Sequence, residues 1–229
     1  MPVISFASCK GGAGKTTACM IFASELARNN IDFTIIDADP NKHLYSWSKS
    51  VGIRDDLVIS STEEDIIENI DGAKTKYVLI DLEGTQNVSM GYAVSYSDLV
   101  VIPCKPSDLD GKEAVKMVKF IRQQEKVSRR NIKSALLRTQ TNAAIITNIE
   151  KMIVNDFVNA GCEVFRNRLI ERDAYRRMVS NKSLIHDLSW NTKQEKERVD
   201  KAIHTAREFS LELIEKLKDN PEGLNKEAV

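Results

Sequence analysis

The chain has four cysteines, Cys9, Cys19, Cys104 and Cys162, scattered without CxxC spacing. That argues against a disulfide framework and against a zinc or iron–sulfur site, so the expected setting is a reduced cytoplasm. Net charge is missing as well. Lys plus Arg and Asp plus Glu number 33 each, so whole-molecule charge points to neither nucleic acid nor a membrane surface. No apolar run approaches the roughly 18 residues of a membrane span. The opening MPVISFASCK has no charged region, apolar region or cleavage site of a signal peptide, and no leader is expected. Internal repeats and low-complexity linkers are absent too.

What is present suits one α/β domain: 229 residues, 42% of them hydrophobic, enough for a single large core. The charges are unevenly placed. Residues 1–100 hold 8 basic and 14 acidic side chains, leaving 25 and 19 for the rest, so a polyanion is expected to meet the C-terminal half. Short β-branched runs alternate with longer stretches of helical period, the pattern of a parallel sheet with crossover helices. Strands are expected near Val3–Ser8, Phe33–Asp37, Leu57–Ser60, Tyr77–Asp81, Leu99–Pro103, Ser134–Arg138 and Glu163–Phe165. Helices are expected near Thr16–Asn29, Lys42–Val51, Glu63–Ile70, Val88–Ser95, Gly111–Lys126, Ala144–Ala160 and Asp173–Val179. A last helix, from about Thr192 to Lys218, spaces Val199, Ala202, Ile203, Ala206, Phe209, Leu213, Ile214 and Leu217 as one apolar stripe, expected to pack back on the domain. Its mixed charge, and the absence of a basic cluster from the tail PEGLNKEAV, argue against a membrane-targeting helix.

The first strand leads through Cys9-Lys10-Gly11-Gly12-Ala13-Gly14-Lys15-Thr16-Thr17 into an apolar-periodic helix. Strand, glycine turn and helix in that order are what phosphate binding requires, because glycines let backbone N–H groups wrap a phosphate at a helix N-terminus. Lys15 is expected to bridge the β- and γ-phosphates of ATP and the Thr16 hydroxyl to ligate Mg²⁺. The usual pattern begins with Gly where this chain has Cys9.

The segment KGGAGKTT, with a second lysine five residues ahead of the phosphate lysine, resembles the deviant Walker A box of the ParA/MinD superfamily of ATPases. The resemblance implies a single-domain P-loop NTPase over residues 1–229, with a central, mainly parallel twisted sheet flanked by helices. It also implies an ATP-induced homodimer in which Lys10 reaches the partner's nucleotide, so that Lys10, Lys15 and Asp39 form the catalytic set. Asp37-Ala38-Asp39-Pro40 resembles the family's first switch segment; Asp39 would orient the attacking water and Asp37 would lie nearer the Mg²⁺. The apolar run YVLID closes on Asp81, as in a Walker B motif, which would hold Mg²⁺ through water, and Gly84 would sense the γ-phosphate. Asp110, in the loop DLVVIPCKPSDLDGKEAV, is expected as a helix cap. Arg138 and Thr139, with the chain near Leu169–Arg172, are expected to line the adenine. The nucleotide-binding set is then Gly11, Gly12, Ala13, Gly14, Lys15, Thr16, Thr17, Arg138 and Thr139.

The resemblance runs from Val3 to about Leu188, and the stretch FRNRLIERDAYRRM is similar to short ParA partition proteins such as ParF and to VirC1-like proteins of T-DNA transfer. No N-terminal helix-turn-helix domain is expected. Residues 112–138 carry nine basic side chains against two acidic, including Arg129, Arg130 and Lys133, and a second cluster contains Arg176 and Arg177. Paired by dimerisation, they would bind DNA phosphates without reading bases. The implied function is a cytoplasmic, nucleoid-associated DNA-partition ATPase, weak alone and stimulated by a ParB/ParG-like centromere-binding protein. The alternative is a VirC1-like accessory ATPase that recruits a relaxase or conjugation complex.

Overall fold

The structure, a computed structural model, describes residues 1–218; the sequence reading of the PEGLNKEAV tail lies outside the described residues. Strands β1 (Val3–Phe6), β2 (Phe33–Asp37), β3 (Val58–Ser60), β4 (Tyr77–Asp81), β5 (Leu99–Cys104), β6 (Lys133–Thr141) and β7 (Glu163–Val164) form one sheet in the order β3-β2-β4-β1-β5-β6-β7. A further strand, β8 (Leu169–Ile170), pairs with β6. All these pairings are parallel.

Alternate residues of the same strand enter two separate cores, as a sheet covered on both faces requires. Ile4, Phe6, Ile35, Leu79, Leu99, Val101 and Leu137 face one core, together with α1 (Lys15–Arg28), α2 (His43–Ser50), α7 (Asp173–Ser180) and α8 (Lys193–Lys218). Val3, Ile36, Val78, Ile80, Val100, Ile102 and Leu136 face the other, under α3 (Ile66–Gly72), α4 (Val88–Tyr96), α5 (Asp108–Ser128) and α6 (Asn148–Asn159). Each fully buried large side chain contributes roughly 1.5–3 kcal/mol. Of the α8 stripe, Val199, Ala202, Ala206, Phe209 and Leu213 lie in the first core and Ile203, Ile214 and Leu217 pack partly buried against it, with the helix mainly on α1. No helix of the described residues is long and apolar enough to cross a membrane.

Four boundaries move by three residues or more from the sequence reading, among them the start of α3, at Ile66 instead of Glu63. The helix expected from Ala144 begins at Asn148, because the Asn142 side chain accepts the Ala144 and Ile145 N–H groups and the Thr147 side chain caps the helix through the Glu150 N–H. The helix expected from Gly111 begins at Asp108 behind a Ser107 cap. The expected strand Ser134–Arg138 extends to Thr141, with its register against β8 shifted between Thr139 and Thr141.

Candidate nucleotide site

The order of strands reverses around β1: the chain builds β2, β3 and β4 on one side of it, then β5, β6 and β7 on the other. Such a reversal opens a crevice at the C-terminal ends of the strands, where ligands of open α/β sheets bind. The loop from β1 to α1 lies in this crevice. Gly14, the N-cap of α1, sits at φ 100°, ψ 18°, and a methyl group there would meet Thr139 at 3.4 Å. A side chain is excluded by both backbone and space. No side chain caps α1 and no acid occupies its first turn, so the helix start offers its N–H groups to an anion.

Lys15 is buried, and its Nζ donates to Ser8 Oγ at 3.4 Å and to the Lys10 carbonyl at 3.3 Å. Burial lowers its pKa, opposed by the charges of Asp81 and Asp39. Thr16 Oγ1 donates to Asp81 Oδ2 at 2.6 Å. Asp81 is buried, and its other oxygen, Oδ1, has no hydrogen-bond partner. Desolvation pushes this carboxyl from its ordinary value of 3.8 up to about 8, against the pull of the Thr16 hydroxyl. An orphaned carboxylate oxygen beside a threonine hydroxyl fits a hard divalent cation. Among the described residues no three His, Cys, Asp or Glu side chains gather as a metal centre, so these groups fit Mg²⁺ that takes its remaining ligands from phosphate and water.

The two switch aspartates differ in engagement. Asp37 is buried and accepts the Asp39 N–H at 3.0 Å and the Tyr45 N–H at 2.8 Å, one on each oxygen; burial raises its pKa despite these bonds. It therefore fixes the turn from β2 into α2. Asp39 is half-buried, and its Oδ1 accepts both the Asn41 N–H and the Asn41 side-chain amide at 2.8 Å. Gly84, just after β4, presses on the phosphate loop itself. A methyl group there would lie 2.7 Å from Gly11 N and 2.8 Å from the Lys10 carbonyl carbon.

Lys10 is held within its own chain: its Nζ donates to Asp110 Oδ2 at 3.0 Å, with the lysine about one-third exposed and the aspartate nearly buried. The cap of α5 is Ser107, whose side chain accepts the Asp110 N–H. This corrects the reading of Asp110 as the cap. Asp110 is the third residue of the first turn, bonded to the Ser107 hydroxyl and to Lys10. Burial acts to raise its pKa, but these partners outweigh it and the net shift is downward.

Beside the loop a cavity of about 420 Å³ is lined by Gly14, Thr17, Thr139, Gln140, Tyr175 and Arg176, among others. Thr139 belongs here, and its hydroxyl donates to the Ala13 carbonyl at 2.7 Å. Leu169, Ile170, Glu171 and Arg172 line the cavity too. Arg138 does not. Its guanidinium donates to the Phe165 and Arg166 carbonyls at 2.9 and 2.8 Å and reaches Glu150 at 3.5 Å, as alternation along a strand turns neighbours to opposite faces. Gln140, missed in the sequence, takes a left-handed φ of 50° at the bulge and approaches the Gly12 carbonyl at 3.5 Å. Tyr175 was missed as well, since its position looks like ordinary helix core.

The basic residues separate. Arg129 ends α5 and is exposed, Arg130 bonds the Ser95 carbonyl and faces Asp98, and Lys133 is tied to the Lys216 carbonyl and Glu163. All three precede or open β6, at the end of the parallel sheet opposite the phosphate loop. Arg176 pairs with Glu171 and lines the cavity, and Arg177 bonds the Ser189 carbonyl.

The family model described as VirC1 protein matches residues 1–219. Protein ParA of Rhizobium radiobacter is 31% identical over 224 residues, covering 95% of this chain and 98% of that protein. Protein virC1 of Rhizobium rhizogenes is 26% identical over 196 residues, 81% of this chain and 83% of its own. Among solved structures, the McdA–ATP complex of Cyanothece superposes with a TM-score of 0.67 at 14% identity, covering 90% of this chain and 96% of that one.

Proposed function

Because the chain belongs to the VirC1 protein family, we propose that it is an ATP-switched, dimeric DNA-partition ATPase. The observation that carries this reading is the conjunction at the start of α1: an uncapped helix end, a buried Lys15, and a Thr16–Asp81 pair with one carboxylate oxygen left over. In this reading Lys15 neutralises the phosphates of ATP, Thr16 and Asp81 hold Mg²⁺, and the cation supplies charge neutralisation on the phosphate oxygens. Asp39 orients the attacking water from the turn that Asp37 fixes. Lys10 gives up Asp110 to reach the partner subunit's nucleotide. The base and ribose occupy the cavity lined by Thr139, Gln140 and Tyr175. The ATP-bound dimer binds DNA through phosphate contacts, and a centromere-binding protein accelerates hydrolysis and release.

The match to protein virC1 of Rhizobium rhizogenes is the observation behind a second reading, an accessory ATPase that recruits a DNA-transfer complex to a particular DNA element. One experiment addresses both. Retention of random duplex DNA and of a duplex carrying a transfer-origin sequence is measured over a salt series with AMPPNP, with ADP and without nucleotide, alongside Lys15→Ala. Partition activity of this type gives AMPPNP-dependent, steeply salt-sensitive retention that Lys15→Ala loses. Equal retention in every nucleotide state refutes the switch, and a strong preference for a transfer-origin sequence moves the function to the second reading.

A further inference from the structure

The loop between β5 and α5 carries a second lysine beside the phosphate loop. A methyl group on Gly12 would lie 3.9 Å from Lys105 Nζ. Backbone bonding fixes the segment, since the Ser107 N–H donates to the Lys105 carbonyl at 2.8 Å. Lys105 itself is half-buried, and among the described residues its ammonium makes no hydrogen bond or ion pair. The nearby anion, Asp110, is already bonded through Oδ2 to Lys10 and Ser107. A partly desolvated ammonium without a partner is costly, and its position over a loop built to wrap phosphate identifies the kind of anion that completes it.

Direction along the loop identifies which phosphate. The cavity for base and ribose is lined by Gly14 and Thr17, the helix end of the loop. A nucleoside triphosphate seated there runs its phosphates toward the strand end, Lys10 to Gly12, so the phosphate farthest from the base comes to the Gly12 side. We propose that Lys105 is a binding residue for the terminal phosphate of ATP, acting within its own subunit and distinguishing triphosphate from diphosphate. The assignment rests on the phosphate-loop reading given above. It also divides the labour of the two lysines: Lys105 meets the phosphate of its own site while Lys10, held by Asp110, is reserved for another contact.

The test is calorimetric titration of Mg²⁺ with AMPPNP or with ADP into the unmodified chain, Lys105→Met, Lys105→Arg and Lys15→Ala. Lys105→Met keeps the stem and removes the charge; it is expected to weaken AMPPNP about 10- to 100-fold, the loss of one charge-assisted hydrogen bond, and ADP by less than about threefold. Lys105→Arg is expected to keep most of the AMPPNP affinity. Unchanged AMPPNP affinity in Lys105→Met, or equal losses for both nucleotides, overturns the assignment of Lys105 alone. If the unmodified chain binds neither nucleotide, or Lys15→Ala binds both as tightly as the unmodified chain, the phosphate-loop reading falls and takes Lys105 with it.

Discussion

Replacing Asp81 by Asn isolates the buried carboxyl beneath the phosphate loop. With its pKa raised from 3.8 to about 8 by desolvation, the folded chain holds a proton there that the unfolded chain releases. Stability therefore falls as pH rises through the window between those two values, because the native state binds the extra proton. The slope is at most about 1.4 kcal/mol per pH unit for one proton, so this group removes roughly 3 kcal/mol between pH 5 and pH 7. For a chain of this size that corresponds to roughly 5–11 °C in melting temperature. Asn keeps an acceptor for the Thr16 hydroxyl and cannot titrate. The assay is thermal denaturation of both proteins from pH 5 to pH 9, read as the difference between profiles so that carboxyls shared by the two cancel. The expected difference grows in favour of Asp81→Asn as pH rises and flattens above about 8. Mg²⁺ with AMPPNP, which requires the ionised carboxylate, is expected to raise the melting temperature of the parent much more than that of the variant. Parallel profiles would refute the reasoning, since they would mean that the Asp81 site is effectively wet.

Lys10→Ala is expected to bind AMPPNP within about threefold of the parent, because the lost charge lies on Asp110 and not on the bound nucleotide, yet to stay monomeric with the analogue in sedimentation; a variant that still dimerises removes the trans role. Gly84→Ala, whose new methyl meets the Lys10–Gly11 backbone below 3 Å, is expected to cost about 1–3 kcal/mol, and a melting temperature equal to the parent's would show that the loop yields freely.

The phosphate loop was legible because glycine spacing, a lysine and a hydroxyl occur between a strand and a helix, each needed for a separate physical reason. The sheet was legible in runs such as YVLID and LVVIP, where burial on both faces leaves little polar alternation. Other features depend on geometry that no spacing encodes. The Ala-Ala-Ile-Ile run at 143–146 reads as helix by apolar content, yet Asn142 and Thr147 claim its backbone first. Arg138 and Gln140 exchange roles in the cavity because strand alternation and a left-handed residue decide which side chains face it. Asp110 looked like a cap until Ser107, three residues earlier, took that position. Lys105 is one lysine among many in the sequence, and only the fold brings it to Gly12.

The contact of Gly84 with the phosphate loop has a thermodynamic side. Only Thr85 and Gln86 separate Gly84 from Asn87, the residue that caps α4 by accepting the Met90 N–H at 2.8 Å. On the outer surface of that helix, Val88 and Tyr92 stand exposed one turn apart. A connection this short would carry a displacement of Gly84 above Gly11 to the start of the helix. If nucleotide displaces Gly84, the affinity of any molecule that grips Val88 and Tyr92 changes with nucleotide state, and linkage requires that molecule to change nucleotide affinity by the same factor. Measuring either affinity in the presence of the other ligand therefore reports the same coupling free energy from opposite ends of the loop.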